Sequence, residues 1–377
     1  MPYFERSDID GTWRIGITAE DLAWLASKRD SLASKLRGDQ PAYIRYDLAH
    51  SAESYGDQPW VEMSLPGSHL RVPYVILHDY RTAPTNATWG TADVRGQFQF
   101  PSDLLDHRHA MVDRFKAEDR LPKGDSICPR VADFSRDVNG NPILSIERAW
   151  YTDQVGTNLT IDYPMRVPRE MPRGICRTVR EWDRAQGVDA ARSLPSFQAS
   201  KLANTIGVSI GVTCRSRDGR IALLQRRRAK NVAVYRNMWA SPFGFAMSVS
   251  KELSDGAHDL RELISLDYGH EFAQELGLEH DSFSAPRAVA ICRDLPRGGK
   301  PQFFFEITTD YSLEEIADKL GKSSAEYSSR VRRVDRVNPE DDGNEVSPEL
   351  TCFLALIASE RGPRAVGVDG ATPRAIR

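Results

Sequence analysis

The sequence predicts an α+β protein, because stretches with helical spacing and β-rich runs occur in both halves of the chain. In the first half, leucines recur at roughly helical spacing from Leu22 to Leu36, after Thr18, which is a favourable N-cap residue. In the second half, the pair Asp218-Gly219 separates two β-rich runs, which is a typical signal of a hairpin. The two patterns together give the fold class.

Length and composition narrow the class of protein. The chain has 377 residues, which corresponds to two or three domains, and its 40% hydrophobic and 27% charged residues are ordinary for a globular protein. Fifty basic and 53 acidic residues give a net charge of −3, which disfavours general nucleic-acid binding. Because no apolar run approaches about 18 residues, we expect no membrane-spanning helix.

The N-terminus and the cysteines point to the compartment. The first residues, MPYFERSDIDGTWR, carry charges early and contain no apolar core of a secretory signal. The five cysteines are scattered, odd in number and free of any CxxC pair, which favours reduced thiols over disulfides or a structural zinc site. We therefore expect a cytoplasmic protein.

A change in composition divides the chain. The segment from Pro164 to Leu202 is rich in proline and arginine and is interpreted as a connector. The sequence thus predicts an α+β domain over residues 1–200, with the connector from about 164, and a second domain over residues 201–361. Residues 362–377 are rich in proline, glycine and arginine and are predicted to be a disordered tail.

Local patterns predict the elements of the first half. Helices are expected from Thr18, from Ser102 and over residues 178–186, and strands over residues 69–80, 143–151 and 157–163. The last two strands would be joined by a turn at residues 153–156. We identify no family in this half.

The second half has a more regular order. It begins with a hairpin (204–216 and 220–228), followed by a strand that contains Trp239 and by a long helix over about 256–276. Two strands on either side of a turn at 296–300 come next. A capped helix at 312–320 and a last helix, which starts at Ser347 with Pro348 in its first position, complete the order.

The long helix carries the residues with the clearest chemistry. Glu271, Gln274 and Glu275 lie at i, i+3 and i+4 and therefore share one face. Two carboxylates on that face form a hard-oxygen site suited to Mg²⁺ or Mn²⁺. Gly277 stands where a helix needs a left-handed residue at its end. One face of this helix is therefore expected to bind metal while another packs in the core.

The spacing from Gly256 to Leu278 resembles the box of the Nudix superfamily, G-x5-E-x7-R-E-U-x-E-E-x-G-U, where U is apolar. Glu262 takes the first glutamate position. Two positions depart from the pattern: His270 replaces the arginine, and Gln274 replaces the first of the paired glutamates. Two glycines remain candidates for the first position, Gly256 and Gly244, and Glu252 is a rival for the role of Glu262.

The resemblance implies a Nudix-like α/β/α sandwich with a mixed sheet over about residues 204–360, preceded by the α+β domain. It implies that Glu271 and Glu275 bind the divalent metal, with Glu262 as an auxiliary carboxylate. The metal would bridge a diphosphate and activate water for attack at phosphorus. Gln274 offers a carbonyl oxygen without charge, and His270 stands where the family has an arginine that orients a box glutamate.

The implied function is a metal-dependent pyrophosphohydrolase that cleaves the diphosphate bond of a nucleoside diphosphate linked to another moiety. Arg226 and Arg228 are expected to bind the substrate phosphates, because arginine forks match phosphate geometry; solvated surface is the alternative. The first half would shape the substrate pocket or a homodimer interface.

Two other hypotheses belong to different classes. The replacements at His270 and Gln274 favour a non-hydrolytic nucleotide-binding sensor or protein-interaction module. The box helix is alternatively an amphipathic helix with surface glutamates and no ligand, since two glutamates four residues apart are common.

Overall fold

The computed structural model describes the elements of both halves. It covers residues 3–6, 13–16, 55, 61–65, 68–82, 88–122, 124–165, 178–186, 194–215, 221–228, 232–236, 238–249, 253–264, 282–312, 314–316 and 346–361. The predicted helix from Thr18, most of the box helix and the predicted disordered tail at 362–377 lie outside these residues.

Strands dominate the described part of the chain. They are β1 (Tyr3–Arg6), β2 (Trp13–Gly16), β3 (Val61–Leu65), β4 (Ser68–Val72), β5 (Tyr74–Asp79), β6 (Thr91–Gln97), β7 (Ile127–Arg136), β8 (Pro142–Trp150), β9 (Gly207–Arg215), β10 (Ile221–Leu223), β11 (Arg226–Arg227), β12 (Trp239–Ala240), β13 (Phe243–Ala246), β14 (Gly256–Asp259), β15 (Arg287–Asp294) and β16 (Lys300–Ser312). The α-helices are α1 (Leu105–Ala117), α2 (Tyr151–Val155), α3 (Val179–Ala185), α4 (Leu260–Ile264) and α5 (Pro348–Arg361).

Two mixed sheets carry the fold. The larger has the order β10-β9-β16-β15-β5, with β13 paired along the same edge of β9 as β10. Its β9–β16 pair is parallel and its other pairs are antiparallel. The smaller has the order β14-β6-β8-β7, with a parallel β6–β8 pair. The mixed α/β content agrees with the predicted α+β class.

The larger sheet is covered on both faces, which explains why β9 is apolar along most of its length and buried from Gly207 to Cys214. One face packs on α5, where Phe304 of the sheet meets Phe353 and Leu350. The other face shares a hydrophobic core with the smaller sheet and with Leu260 of α4. The α/β/α layering itself stays a prediction.

Strands from before and after residue 200 share both sheets. β5 extends the larger sheet beside β15, and β14 extends the smaller sheet beside β6. Leu48–Arg377 forms one compact unit, and Met1–Asp47 forms another, within which β1 and β2 make an antiparallel hairpin. The predicted division at residue 200 stays a prediction about folding units.

Several predicted elements are confirmed. The hairpin strands β9 and β10, the Trp239 strand β12, and the pair β15–β16 occur where expected. The last helix begins at Pro348, and the hydroxyl of Ser347 accepts a hydrogen bond from the Leu350 amide at 3.2 Å. The helix at residues 179–185 starts after Thr178, whose hydroxyl accepts from the Glu181 amide.

Two predicted elements are wrong. Residues 157–163 were expected to form a strand, but Asn158–Thr160 form a 3-10 turn instead. There the Thr160 amide donates to the Thr157 carbonyl at 3.3 Å and the Tyr163 amide to the Thr160 carbonyl at 2.9 Å, so this backbone pairs within the segment rather than with a strand. The helix expected from Gly256 starts at Leu260, because residues 256–259 pair with β6.

In the described part of the chain, no helix is long and apolar enough to cross a membrane.

Gly211 of β9 lies directly against α5, because a Cβ atom at this position would overlap the ring of Phe353. We therefore predict that Gly211→Ala lowers the free energy of unfolding by about 1–3 kcal/mol, the usual cost of overpacking. Urea denaturation measures this. Gly211→Ala/Phe353→Leu should recover part of the loss, because the smaller side chain makes room. A Gly211→Ala variant as stable as the wild type contradicts this packing.

Candidate functional site

A cleft of about 600 Å³ opens beside the start of β16. It is lined by β13, by the residues before and after it, and by the first turn of α5. Four of its lining residues are basic, namely Arg120, Arg228, Arg297 and Lys300, against two acidic ones, Asp119 and Glu349. The cleft therefore has the lining of a site for an anion.

A buried chain of ion pairs forms the back of the cleft. Arg228 Nη2 donates to Glu349 Oε2 at 2.5 Å, and Arg297 Nη2 donates to Glu349 Oε1 at 2.6 Å. Arg297 Nε also donates to Asp294 Oδ2 at 2.5 Å. The two guanidiniums are thus held side by side by one carboxylate, and Asp294 fixes the second of them.

Local structure explains why these side chains meet. Asp294 caps the 3-10 turn Leu295–Arg297, and Gly298 follows it in the left-handed region at φ 70°. This turn brings Arg297 back over the end of β15. Glu349 is the second residue of α5, where the helix dipole favours a carboxylate.

Tyr235 lies between the two guanidiniums. The Cζ atoms of Arg228 and Arg297 lie 5.6 and 5.4 Å from the centre of its ring. Its backbone has φ 55°, a conformation that residues other than glycine adopt rarely and that the surrounding contacts must enforce. The aromatic ring therefore helps fix both guanidiniums at the cleft.

Burial and charge set the ionisation of Glu349. Burial alone would raise the pKa of its carboxyl, but the guanidiniums of Arg228 and Arg297 hold it below its ordinary value. Glu349 is therefore a carboxylate at neutral pH.

Lys300, the first residue of β16, is a buried amine on the cleft wall with 1% of its surface exposed. A Cβ atom on Gly207 would overlap Gln302 Oε1 and Lys300 Nζ, so a larger residue there would have to displace these side-chain ends. Burial and then the neighbouring Arg297 guanidinium lower the pKa of Lys300 to about 7, although Asp294 and Glu349 oppose the shift. Among the described residues, no hydrogen bond to its amine is found.

The donors of the cleft are not all used. Ser241 is 4% exposed, and its hydroxyl has no hydrogen-bond partner in the described part of the chain. Arg228 donates to Glu349 from Nη2, and a guanidinium carries further N–H donors on Nε and Nη1. These groups can bind the oxygens of a phosphate together with Lys300.

Among the residues that the sequence predicts for the site, the structure places one side chain in the cleft. Arg228 lies in the cleft, whereas Arg226 pairs through its backbone with Ala240 and its side chain is outside the described atoms. Glu262 is exposed on α4 and is not among the lining residues of the cleft. The remaining predicted residues lie outside the described part, namely His270, Glu271, Gln274 and Glu275.

Within the described residues, no group of three or more histidine, cysteine, aspartate or glutamate side chains could hold a metal ion.

Sequence reasoning missed Arg297, Lys300, Ser241 and Glu349. A signal for the first two exists in the segment Pro296-Arg297-Gly298-Gly299-Lys300, which places two cations around a glycine pair between two strands. We interpreted this segment only as a turn. For Glu349 the sequence shows only a favourable acidic residue at a helix start.

The comparisons with known proteins do not identify a family for this chain. No family model and no curated protein matches the chain. Among solved structures, the crystal structure of a Nudix hydrolase from M. smegmatis, RenU, is similar at 12% identity and a TM-score of 0.27, covering 43% of this chain and 90% of that chain. This likeness is weak, and we base no conclusion on it.

Lys300→Met should change the pH dependence of stability. Because the folded pKa of Lys300 is about 7 and the unfolded value is about 10.4, the unfolded chain binds more protons between these values, so wild-type stability rises with pH there. We expect the methionine variant to gain on the order of 4 kcal/mol relative to wild type on going from pH 10 to pH 7.

Chemical denaturation over this pH range measures the effect. The matched control is Lys201→Met, which removes an exposed lysine and should change stability equally at every pH. A stability difference between Lys300→Met and wild type that does not vary with pH would contradict the buried, weakly basic amine.

Proposed function

We propose that the chain binds a small molecule carrying a diphosphate in this cleft and hydrolyses the diphosphate bond with Mg²⁺ or Mn²⁺. The observation that carries the binding half is the convergence of Arg228, Arg297 and Lys300 on one cleft, beside the unpartnered hydroxyl of Ser241. Guanidiniums offer paired donors that match phosphate oxygens, and a buried amine adds a compact charge.

A nucleotide-type ligand suits the rest of the cleft. Phe245 of β13 lines the same cleft and is 37% exposed, which places an aromatic side chain at the cleft wall. Gly244 precedes it, and a Cβ there would lie 2.7 Å from Nη2 of Arg228. The cleft thus combines a phosphate end and an aromatic side chain, as a nucleoside diphosphate linked to another moiety requires.

The hydrolytic half of the proposal comes from the resemblance of residues 256–278 to the Nudix box. Glu271 and Glu275 would hold the metal, which supplies charge stabilisation and an activated water when bound. Glu262 would serve as an auxiliary carboxylate, and its side chain is exposed on α4. His270 and Gln274 would orient the glutamates by hydrogen bonds. Arg228 and Lys300 would hold the phosphates.

A non-hydrolytic binder is the second candidate function. The specific observation in its favour is that His270 and Gln274 replace two charged box residues of the family. Anion binding by the basic residues of the cleft would need no metal, so binding and hydrolysis can be tested apart.

Turnover tests the hydrolytic half. With Mg²⁺ or Mn²⁺ and a panel of nucleoside diphosphate compounds, ³¹P NMR should show cleavage of the diphosphate. Glu275→Gln should lower kcat by more than the roughly 10–100-fold that loss of a supporting group costs, and Glu262→Gln by less than Glu275→Gln. Unchanged turnover in Glu275→Gln contradicts the mechanism, and binding without turnover supports the second candidate.

Arg228→Lys tests the binding half. The change keeps the charge beside Glu349 but removes the fork, so the Kd for a nucleoside diphosphate should rise about tenfold, the equivalent of one charge-assisted hydrogen bond. Calorimetry measures this. Arg236→Lys is the matched control, because Arg236 pairs with Glu118 at 2.7 Å and does not line the cleft. Equal loss of affinity in both variants would place the ligand elsewhere.

A further inference from the structure

The buried charges at the back of the cleft do not balance. Arg228, Arg297 and Lys300 supply three groups that can be positive, and Asp294 and Glu349 supply two carboxylates. Buried charges are stable only when they are paired. The third cation must therefore be compensated by an anion from outside or must lose its proton.

Lys300 is the member of this set that can lose a proton. Guanidiniums keep their charge throughout the accessible pH range. Arg228 and Arg297 also share the Glu349 carboxylate at 2.5 and 2.6 Å, and Arg297 binds Asp294 as well. Lys300 has no such partner among the described residues, and it is 1% exposed.

We propose that Lys300 couples anion binding to proton uptake: at alkaline pH it is a neutral amine in the empty cleft and becomes an ammonium ion when a phosphate or sulfate group enters. This inference rests on the binding half of the proposed function and needs no hydrolysis. The balance is simple, since the amine takes one proton from solvent and no covalent bond to the ligand forms.

Charged and titratable groups from several elements face Lys300. Arg297 and Asp294 approach it from the turn before β16, and Glu349, whose pKa is held below its ordinary value, approaches from α5. Cys128 of β7 faces it too, and burial raises the pKa of that thiol to about 11. Arg228 keeps its charge.

Tyr151 lines the cleft as well. Burial raises the pKa of its phenol to about 12, so it stays neutral up to about pH 9. Lys300, with its pKa of about 7, changes its charge between about pH 6 and pH 9.

The consequence is an affinity that depends on pH. Below about pH 7 the amine is already protonated and the Kd for an anion should be constant. Above it, each unit of pH lowers the protonated fraction of the empty site tenfold, so the Kd should rise about tenfold per unit, reaching roughly 100-fold at pH 9.

Sulfate is the probe that tests this, because its own charge does not change over this range. Isothermal titration calorimetry of the full chain, from about pH 6 to pH 9 and without divalent metal, gives the Kd. Repeating it in buffers of different ionisation enthalpy gives the number of protons bound. We expect close to one proton taken up per sulfate at pH 9 and close to none at pH 6.

Two substitutions identify the titrating group. Lys300→Arg keeps a permanent charge and should bind sulfate with a Kd that does not vary with pH. Lys300→Met should bind weakly at every pH and take up no proton, and it decides the matter if the arginine does not fit beside Gly207. Lys201→Arg, at an exposed lysine, should retain the wild-type profile.

Three outcomes would overturn the inference: a wild-type Kd that is independent of pH, the same pH profile in Lys300→Met, or no sulfate binding at any pH. The test also separates the two proposals. Proton-linked sulfate binding without turnover of any diphosphate leaves the inference standing and removes the hydrolytic function. Turnover of a diphosphate without sulfate binding removes the inference and leaves the hydrolytic function standing.

Discussion

Glu349 holds together three segments that are distant in sequence. Its two oxygens bind Arg228, which follows β11, and Arg297, in the turn between β15 and β16, while Glu349 itself lies in the first turn of α5. Removing one partner of a buried ion pair leaves the other charge uncompensated, which typically costs about 3–5 kcal/mol. The positions of the turn, the helix start and the β11 end therefore depend on this one carboxylate.

Such a cluster is not an efficient way to gain stability, because desolvation offsets much of the Coulomb attraction between buried charges. The effect of the cluster is to fix the positions of its side chains. It fixes two guanidiniums beside Lys300 on one wall of a cleft, in an orientation that longer, exposed side chains would not keep. Two glycines make room for it: Gly207 beside Lys300, and Gly244 beside Arg228.

Much of the fold follows from local signals in the sequence. The hairpin of β9 and β10, the strands β15 and β16, and the start of α5 were predicted from turn residues, β-rich runs and a helix cap. The exceptions are non-local. Residues 256–259 form a strand because they pair with β6, more than 150 residues earlier, and no local pattern contains that partner.

The residues of the cleft were likewise predictable only where a local signal in the sequence exists. Arg228 was expected to bind phosphate because it ends a strand in a run of arginines, and it does lie in the cleft. Lys300 was not predicted to lie in the site, because the neighbouring sequence does not show that β9 and α5 bury its side chain. The ionisation of a lysine is set by its surroundings in the folded chain, and those surroundings are assembled from four separate segments.

The central claim is that the cluster of Arg228, Arg297 and Lys300 is an anion site. The most direct measurement is a crystal structure of the wild-type chain soaked with tungstate, a tetrahedral dianion whose anomalous scattering locates it without ambiguity. We expect tungstate within hydrogen-bond distance of Lys300 Nζ and an Arg228 nitrogen, and a lower occupancy at this position in Lys300→Met. Tungstate bound only outside the cleft, or equally well in Lys300→Met, would contradict this claim.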